Sequence, residues 1–189
     1  MRVITGSARG RRLKELEGME TRPTTGKVKE SIFSILQFDI EGRRVLDLFA
    51  GTGQLGIEAL SRGAEHCVFV ERRGDAVRLV RENLKVTELA EQARVVQGDA
   101  LEFLAGCRDK FDIILLDPPY EAGLLEPALE RIAGFDILSP HGIIVAEHPD
   151  GRQLPPLAAP YGVSRTYRYG RIGLTVYRRA GDEKVEETT

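Results

Sequence analysis

Two short stretches of the chain carry residue types suited to a group transfer onto nitrogen. Asp117, Pro118, Pro119 and Tyr120 follow the apolar run 113–116. Two consecutive prolines cannot extend a central strand, so they set a rigid loop whose carbonyls point in defined directions. An exocyclic amine on a nucleobase is a poor nucleophile because its lone pair is delocalised into the ring. Holding its two hydrogens on acceptors turns that lone pair outward, and the Asp117 carboxylate with the Pro118 backbone carbonyl supplies two such acceptors. Tyr120 adds a flat face on which a flipped-out or single-stranded base can stack, worth about 1–3 kcal/mol per base.

The second stretch is residues 45–56, where an apolar run passes into a glycine turn that opens a helical pattern. Gly51, Gly53 and Gly56 match G-x-G-x-x-G, the spacing of dinucleotide-binding loops, in which small residues admit a ligand to the backbone at a helix N-terminus. The spacing alone leaves an NAD-dependent oxidoreductase open. Asp47, four residues before Gly51, argues against a pyrophosphate, which its carboxylate would repel, and for a ligand bearing an ammonium. S-adenosylmethionine has that ammonium, together with a sulfonium. Glu71 ends the next apolar run and is placed to accept both ribose hydroxyls of an adenosine. Asp99 ends the third and reaches the adenine amine, although a helix N-cap explains it almost as well. The cofactor set is then Asp47, Phe49, Gly51, Gly53, Glu71, Asp99 and Ala100, with S-adenosylhomocysteine as product.

These stretches need a scaffold that brings them together. Apolar runs at 44–48, 67–71, 93–97, 112–116 and 142–147 alternate with helical patterns at 54–62, 74–87, 100–105 and 123–134, the order of βαβ units in a parallel sheet. The runs are nearly continuous in Val, Ile and Leu, as a sheet covered on both faces requires. Segments 163–169 and 172–178 alternate around Gly170-Arg171 and predict an antiparallel hairpin completing seven strands. The expected fold is α/β, a doubly wound, mostly parallel seven-stranded sheet. All the chemical residues then fall at its carboxyl edge. At the N-terminus, strands at 2–5 and 11–16 around Gly6 and Gly10 predict a small hairpin extension over 1–22. Thr24 or Thr25 is expected to cap a helix at 26–37, and the α/β domain to span 23–180 before a charged, disordered tail at 181–189.

The chain has 189 residues, 42% hydrophobic and 30% charged, the balance of a globular protein, with no apolar run of membrane-spanning length and no signal-like N-terminus. A cytoplasmic protein is expected, without an obligate protein partner. Cys67 and Cys107 lack CxxC spacing, and His66, His141 and His148 form no metal or nucleophile constellation, so no metal is expected. Glu147-His148, at a strand's carboxyl end, is placed at the pocket rim. The net charge of −2 conceals an asymmetry: residues 1–30 hold eight Lys and Arg against four Glu, so this segment is +4 and the remainder −6. A basic segment on an acidic body suits a polyanionic partner, although a solvated basic face has the same composition.

The order and spacing of Ile4-Thr5-Gly6, Gly10-Arg11-Arg12-Leu13, Arg22-Pro23-Thr24 and Val28-Lys29-Glu30-Ser31-Ile32-Phe33 resemble the opening of the RsmD family, 16S rRNA guanine-N2 methyltransferases of class I. Residues 56–63 and the Asp-Pro-Pro-Tyr loop extend the similarity over nearly the whole chain. The resemblance implies methylation of one guanine in small-subunit rRNA, presented on a wholly or partly assembled 30S particle. It also implies RNA contacts from Arg9, Arg11, Arg12, Arg22, Thr24 and Lys29. Tyr120 stands where some members have Phe, and Lys29 where they have Arg, which keeps charge but loses the bidentate fork. The residues themselves do not choose guanine N2 over adenine N6. A DNA or RNA adenine methyltransferase therefore stays open, as does a noncatalytic RNA-binding assembly factor on the same scaffold.

Overall fold

A computed structural model describes residues 1–16 and 23–179, the side chains of 23–25 excepted. Arg22 and the tail at 181–189 lie outside the described residues. The elements run α1 (Pro23–Ile35), β1 (Arg44–Asp47), α2 (Gln54–Ser61), β2 (His66–Glu71), α3 (Gly74–Thr87), β3 (Ala93–Gln97), α4 (Ala100–Gly106), β4 (Phe111–Leu116), α5 (Leu125–Gly134), β5 (Leu138–Pro149), β6 (Tyr161–Tyr169) and β7 (Ile172–Arg179).

The seven strands form one sheet in the order β3-β2-β1-β4-β5-β7-β6. β1 to β5 pair in parallel, and β7 runs antiparallel between β5 and β6. This is the expected doubly wound α/β fold. Chain order reverses between β1 and β4, and beyond the carboxyl ends of those strands doubly wound sheets open a ligand crevice. One sheet face buries Val28, Ile32, Ile57, Val80 and Leu84 of α1, α2 and α3 with Val45, Ile113 and Val145. The other buries Leu104, Leu129 and Ile132 of α4 and α5 with Leu46, Ile114 and Ile144. Successive strand residues thus serve opposite layers, which is why uninterrupted apolar runs were needed.

Three local expectations are corrected. The helix capped by Thr24 or Thr25 instead starts at Pro23, so both threonines lie within its first turn; proline suits that position because the N–H it lacks would have no helical partner. β5 begins at Leu138 rather than 142, because Pro140-His141-Gly142 is absorbed in an irregularity of the pairing: Phe111 meets Leu138, but Ile113 meets Ile143. The N-terminal hairpin is shorter than expected: Arg2 bridges Arg12, and across it Val3 donates to the Arg11 carbonyl at 3.0 Å, Gly10 to that of Val3 at 2.9 Å and Leu13 to that of Met1 at 3.0 Å. Further backbone groups of this segment turn to α2. Ile4 and Thr5 donate their N–H groups to the Glu58 carboxylate at 2.8 and 2.9 Å, and Ser7 and Ala8 donate theirs to the backbone and hydroxyl oxygens of Ser61 at 2.8 and 3.0 Å.

Lys29 explains why Glu58 is tolerated in the core. Both side chains are buried, with Lys29 Nζ 3.2 Å from Glu58 Oε2, while Arg62 Nε donates to Oε1 at 2.9 Å. Lys29 also donates to the Arg2 carbonyl at 2.9 Å. Burial lowers the Lys29 pKa and Glu58 pulls it back. One carboxylate thereby ties the N-terminal segment, α1 and α2 together. Glu58→Ala would strand a buried ammonium and two backbone donors, a loss of about 3–5 kcal/mol. A urea midpoint equal to the parent's would refute this clamp.

Candidate active site

β1 delivers Asp47 to the crevice almost fully buried, 1% exposed. Its Oδ2 accepts the Gly56 N–H at 2.9 Å, whereas Oδ1 is buried without a hydrogen-bond partner. Burial pushes this carboxyl up to about 7, with the Gly56 bond opposing and Glu71 adding to the rise. An orphaned carboxylate oxygen in a cleft wall is unusual, since buried polar atoms are nearly always satisfied. It fits a ligand that brings a positive donor.

The three glycines after Asp47 have three different physical reasons. Gly51, at φ +54, lines the cleft, and a Cβ there would meet nothing within 4 Å, so the backbone is open to a ligand. Gly53 was expected to admit the cofactor, but it does not line the cleft. It holds φ +82 as the residue preceding α2, and a Cβ would press on Val80 and Ile57 at 3.2 and 3.3 Å. A Cβ at Gly56 would stand 2.3 Å from the Phe69 ring, so that glycine lets α2 lie on β2. The match to a dinucleotide motif is therefore partly a packing pattern.

Glu71, at the end of β2, accepts the Gly51 N–H on Oε2 at 2.9 Å and the Arg73 N–H on Oε1 at 2.7 Å, bracing the glycine loop from the neighbouring strand. Asp99 is the N-cap of α4: Oδ1 accepts from the Leu101 and Glu102 N–H groups at 2.8 and 3.1 Å. The capping alternative is thus realised, yet Asp99 lines the same cleft as Asp47, Phe49, Gly51, Glu71 and Ala100.

That cleft has a volume of about 880 Å³, in the range of drug-sized ligand sites, and Asp117, Pro118, Pro119 and Tyr120 also line it. Asp117 continues from β4, and its carboxyl is held well above the ordinary range by burial, then by Glu147 and Asp47. The Pro119 carbonyl accepts the Ala122 N–H at 3.1 Å, which closes a 3-10 turn over Tyr120–Ala122. The Tyr120 ring is 40% exposed and its hydroxyl donates to Glu147 Oε1 at 2.7 Å. The glycine loop and the proline loop thus line a single cavity.

Sequence reasoning placed Glu147 only at the rim and did not see its bond to Tyr120. The available signal was that Glu147 follows an apolar run as Asp47, Glu71 and Asp117 do. Met1, Glu15 and Leu16, which also line the cleft, were missed altogether, because long-range contacts place them: Glu58 holds Ile4 and Thr5, and Asn83 of α3 holds the Lys14 backbone at 2.7 and 3.1 Å. Among the described residues no group of three or more His, Cys, Asp or Glu could hold a metal ion, and no helix is long and apolar enough to cross a membrane.

The basic segment divides. Arg9 and Arg12 are exposed. Arg11 donates to the Val86 carbonyl at 2.7 Å and pairs with Glu88 at 2.9 Å. Lys29 was expected to touch RNA, but it is buried on Glu58 and cannot; its charge is spent inside the protein. The side chain of Thr24 is among those not described.

The family described as "Conserved hypothetical protein 95" matches residues 1–178. A Bacillus subtilis relative, YlbH, provisionally named an rRNA methyltransferase, is 46% identical over 96% of this chain and 100% of its own. Ribosomal RNA small subunit methyltransferase D of Escherichia coli is 34% identical over 95% of this chain and 90% of its own. A solved Escherichia coli structure, yhhF, provisionally described as a methyltransferase, superposes with a TM-score of 0.86 at 32% identity, covering 95% of this chain and 97% of that one. With the Asp47 loop and the Asp117 loop lining one cleft, these likenesses show that the chain belongs to the RsmD family.

Proposed function

We propose that this protein transfers a methyl group from S-adenosylmethionine to the exocyclic N2 amine of a guanine in small-subunit ribosomal RNA, presented on an assembled or partly assembled 30S particle. The observation that carries the reading is the shared cleft, lined both by Asp47 with its buried, unpartnered oxygen and by the acceptors of the Asp117-Pro118 loop. The naming of relatives for rRNA and small-subunit methylation supports the RNA substrate.

In this reading the donor's ammonium binds Asp47, its ribose hydroxyls Glu71 and its adenine amine Asp99. Each carboxylate oxygen can accept more than one hydrogen bond, so the backbone bonds of Glu71 and the cap of Asp99 leave that capacity in place. An ammonium at Oδ1 would favour the charged form of Asp47 and offset its burial. The sulfonium supplies an activated methyl group. Asp117 and the Pro118 carbonyl hold the amine's hydrogens so that its lone pair faces that methyl, and Tyr120 stacks on the base. The protein then works by positioning and by acceptors suited to the positive charge that develops on nitrogen.

The direct test is incubation of undermodified 30S subunits with labelled donor, followed by mapping of the labelled nucleotide. Label on one guanine N2 is expected, and label on adenine N6 or none at all would overturn the reading. Asp117→Ala should abolish labelling while calorimetry shows S-adenosylhomocysteine still bound; loss of that binding would refute the division of roles.

Asp47 makes a pH prediction. Its folded value near 7 stands above the ordinary 3.8, so the ligand-free fold binds an extra proton between these values and loses stability as pH rises through that window. Asp47→Asn removes this loss. The variant should be more stable than the parent at pH 8, by up to about 4 kcal/mol, with the gap narrowing toward pH 4, and should bind S-adenosylhomocysteine more weakly. Urea unfolding at both pH values and calorimetry check this, and a variant less stable at pH 8 would contradict it.

Arg9 and Arg12 supply the RNA prediction. Replacing both with Ala should weaken substrate binding and lower the slope of log K against log salt by about 1 per residue, measured by filter binding across salt. An unchanged slope would remove the N-terminal segment from the RNA interface.

A further inference from the structure

The carboxyl edge of the sheet is built of acceptors. Asp47 and Glu71 end β1 and β2, Asp117 directly follows β4, and Glu147 lies near the end of β5. The Leu116–Ala146 pairing of the parallel β4 and β5 brings Asp117 and Glu147 side by side. Their carboxyls are both raised by burial, with Glu147 adding to the rise at Asp117. Such an edge selects for ligands that bring hydrogens, and the donor accounts for Asp47, Glu71 and Asp99 only.

Beside the cleft lies a small recess walled by Pro118, Pro119, Tyr120, Glu147, His148 and Arg152. Of its polar side chains, His148 is committed at both ring nitrogens, to the Pro149 carbonyl at 2.9 Å and the Thr175 hydroxyl at 2.8 Å. Since a carbonyl can only accept, Nδ1 carries a proton. Arg152 is engaged by two bonds to Glu126 at 2.9 and 2.8 Å. Glu147 differs: among the described residues it accepts one hydrogen bond, from the Tyr120 hydroxyl, and that partner is the residue whose ring would stack on the base.

The Watson–Crick edge of guanine presents three hydrogens in a row, one on N1 and two on N2. Adenine presents only its amine hydrogens, because its N1 is an acceptor that a carboxylate would repel. Asp117 and the Pro118 carbonyl provide for the amine but make no choice between the two bases. Resting on the methyl-transfer reading above, we propose that Glu147 is the residue that selects guanine, accepting the N1–H beside Asp117 while the amine is held for transfer. In the free protein the Tyr120 hydroxyl occupies Oε1 and keeps the carboxylate turned toward the proline loop; the incoming base brings a second donor to the same group. A site built to hydrogen-bond a donor rejects an analogue without it by far more than a site of shape alone, because the buried acceptor is left unpaired.

The test uses 30S subunits reconstituted with 16S rRNA carrying either guanine or 2-aminopurine at the mapped target. 2-Aminopurine keeps the exocyclic amine at C2 but has an acceptor at N1. The parent should prefer guanine by at least about a hundredfold in kcat/KM, in line with rejection of substrates that leave a buried polar group unpaired. Glu147→Gln, whose amide can donate to that N1, should narrow the ratio by about tenfold or more while leaving S-adenosylhomocysteine binding within about twofold, and Tyr120→Phe should keep the parent's ratio. Glu147→Asp, which withdraws the carboxylate by one methylene, serves as a second variant should the glutamine form fail to fold, and should likewise narrow the ratio. A parent indifferent to the two bases, or a ratio that stays fixed when Glu147 is replaced, would overturn the proposal. Failure of the parent to label guanine at all would instead overturn the methyl-transfer reading on which it rests.

Discussion

A parallel sheet sends the carboxyl ends of its strands to one edge, and here that edge gathers carboxylates, of which Asp47 and Asp117 form no ion pair among the described residues. Like charges in a poorly solvated crevice raise one another's cost of ionisation, and burial adds to it. Asp47 shows the result most plainly, with one oxygen unpartnered and its carboxyl raised to about 7. The sheet tolerates this edge because its apolar layers supply the stability that the edge gives up. A ligand bearing an ammonium, a sulfonium and an array of N–H groups is the natural complement of such a surface.

The glycine loop shows how one spacing serves several masters. Gly51 leaves room for a ligand, Gly53 adopts a left-handed turn under Val80, and Gly56 lets a helix settle on Phe69. Glu71 holds the loop by the Gly51 N–H and Asp47 holds the following helix by the Gly56 N–H, so both carboxylates are structural before they meet any ligand. The same economy appears at Asp99, which caps α4 while it lines the cleft. Prior hydrogen bonding of this kind fixes the orientation of a binding group.

The N-terminal segment owes its place to charge buried in the opposite sense. Glu58 would be costly inside the protein were it not met by Lys29, Arg62 and two backbone N–H groups. That arrangement ties the first residues to α2, Asn83 of α3 holds the Lys14 backbone, and Met1, Glu15 and Leu16 come to the wall of the cleft. The basic character of the segment is thus shared between an interior clamp and an exposed surface at Arg9 and Arg12.

Strand positions, their parallel order and the residues at their ends were legible in the chain, because period, run length and proline or glycine punctuation are local properties. The identities of Asp47, Glu71, Asp99 and Asp117 as the residues of one edge followed from that order. What lay beyond the sequence was every feature set by contact between distant segments. Lys29 looks like an RNA contact until Glu58, 29 residues on, is seen to bury it. Gly53 looks like part of the cofactor site until Val80 is found against it, and Glu147 acquires its partner only when the Tyr120 loop crosses from β4 to β5. Local pattern determined which chemistry this protein carries; tertiary packing decided which charges face a ligand and which are consumed in holding the fold, because burial and partnership are properties of pairs that no single stretch contains.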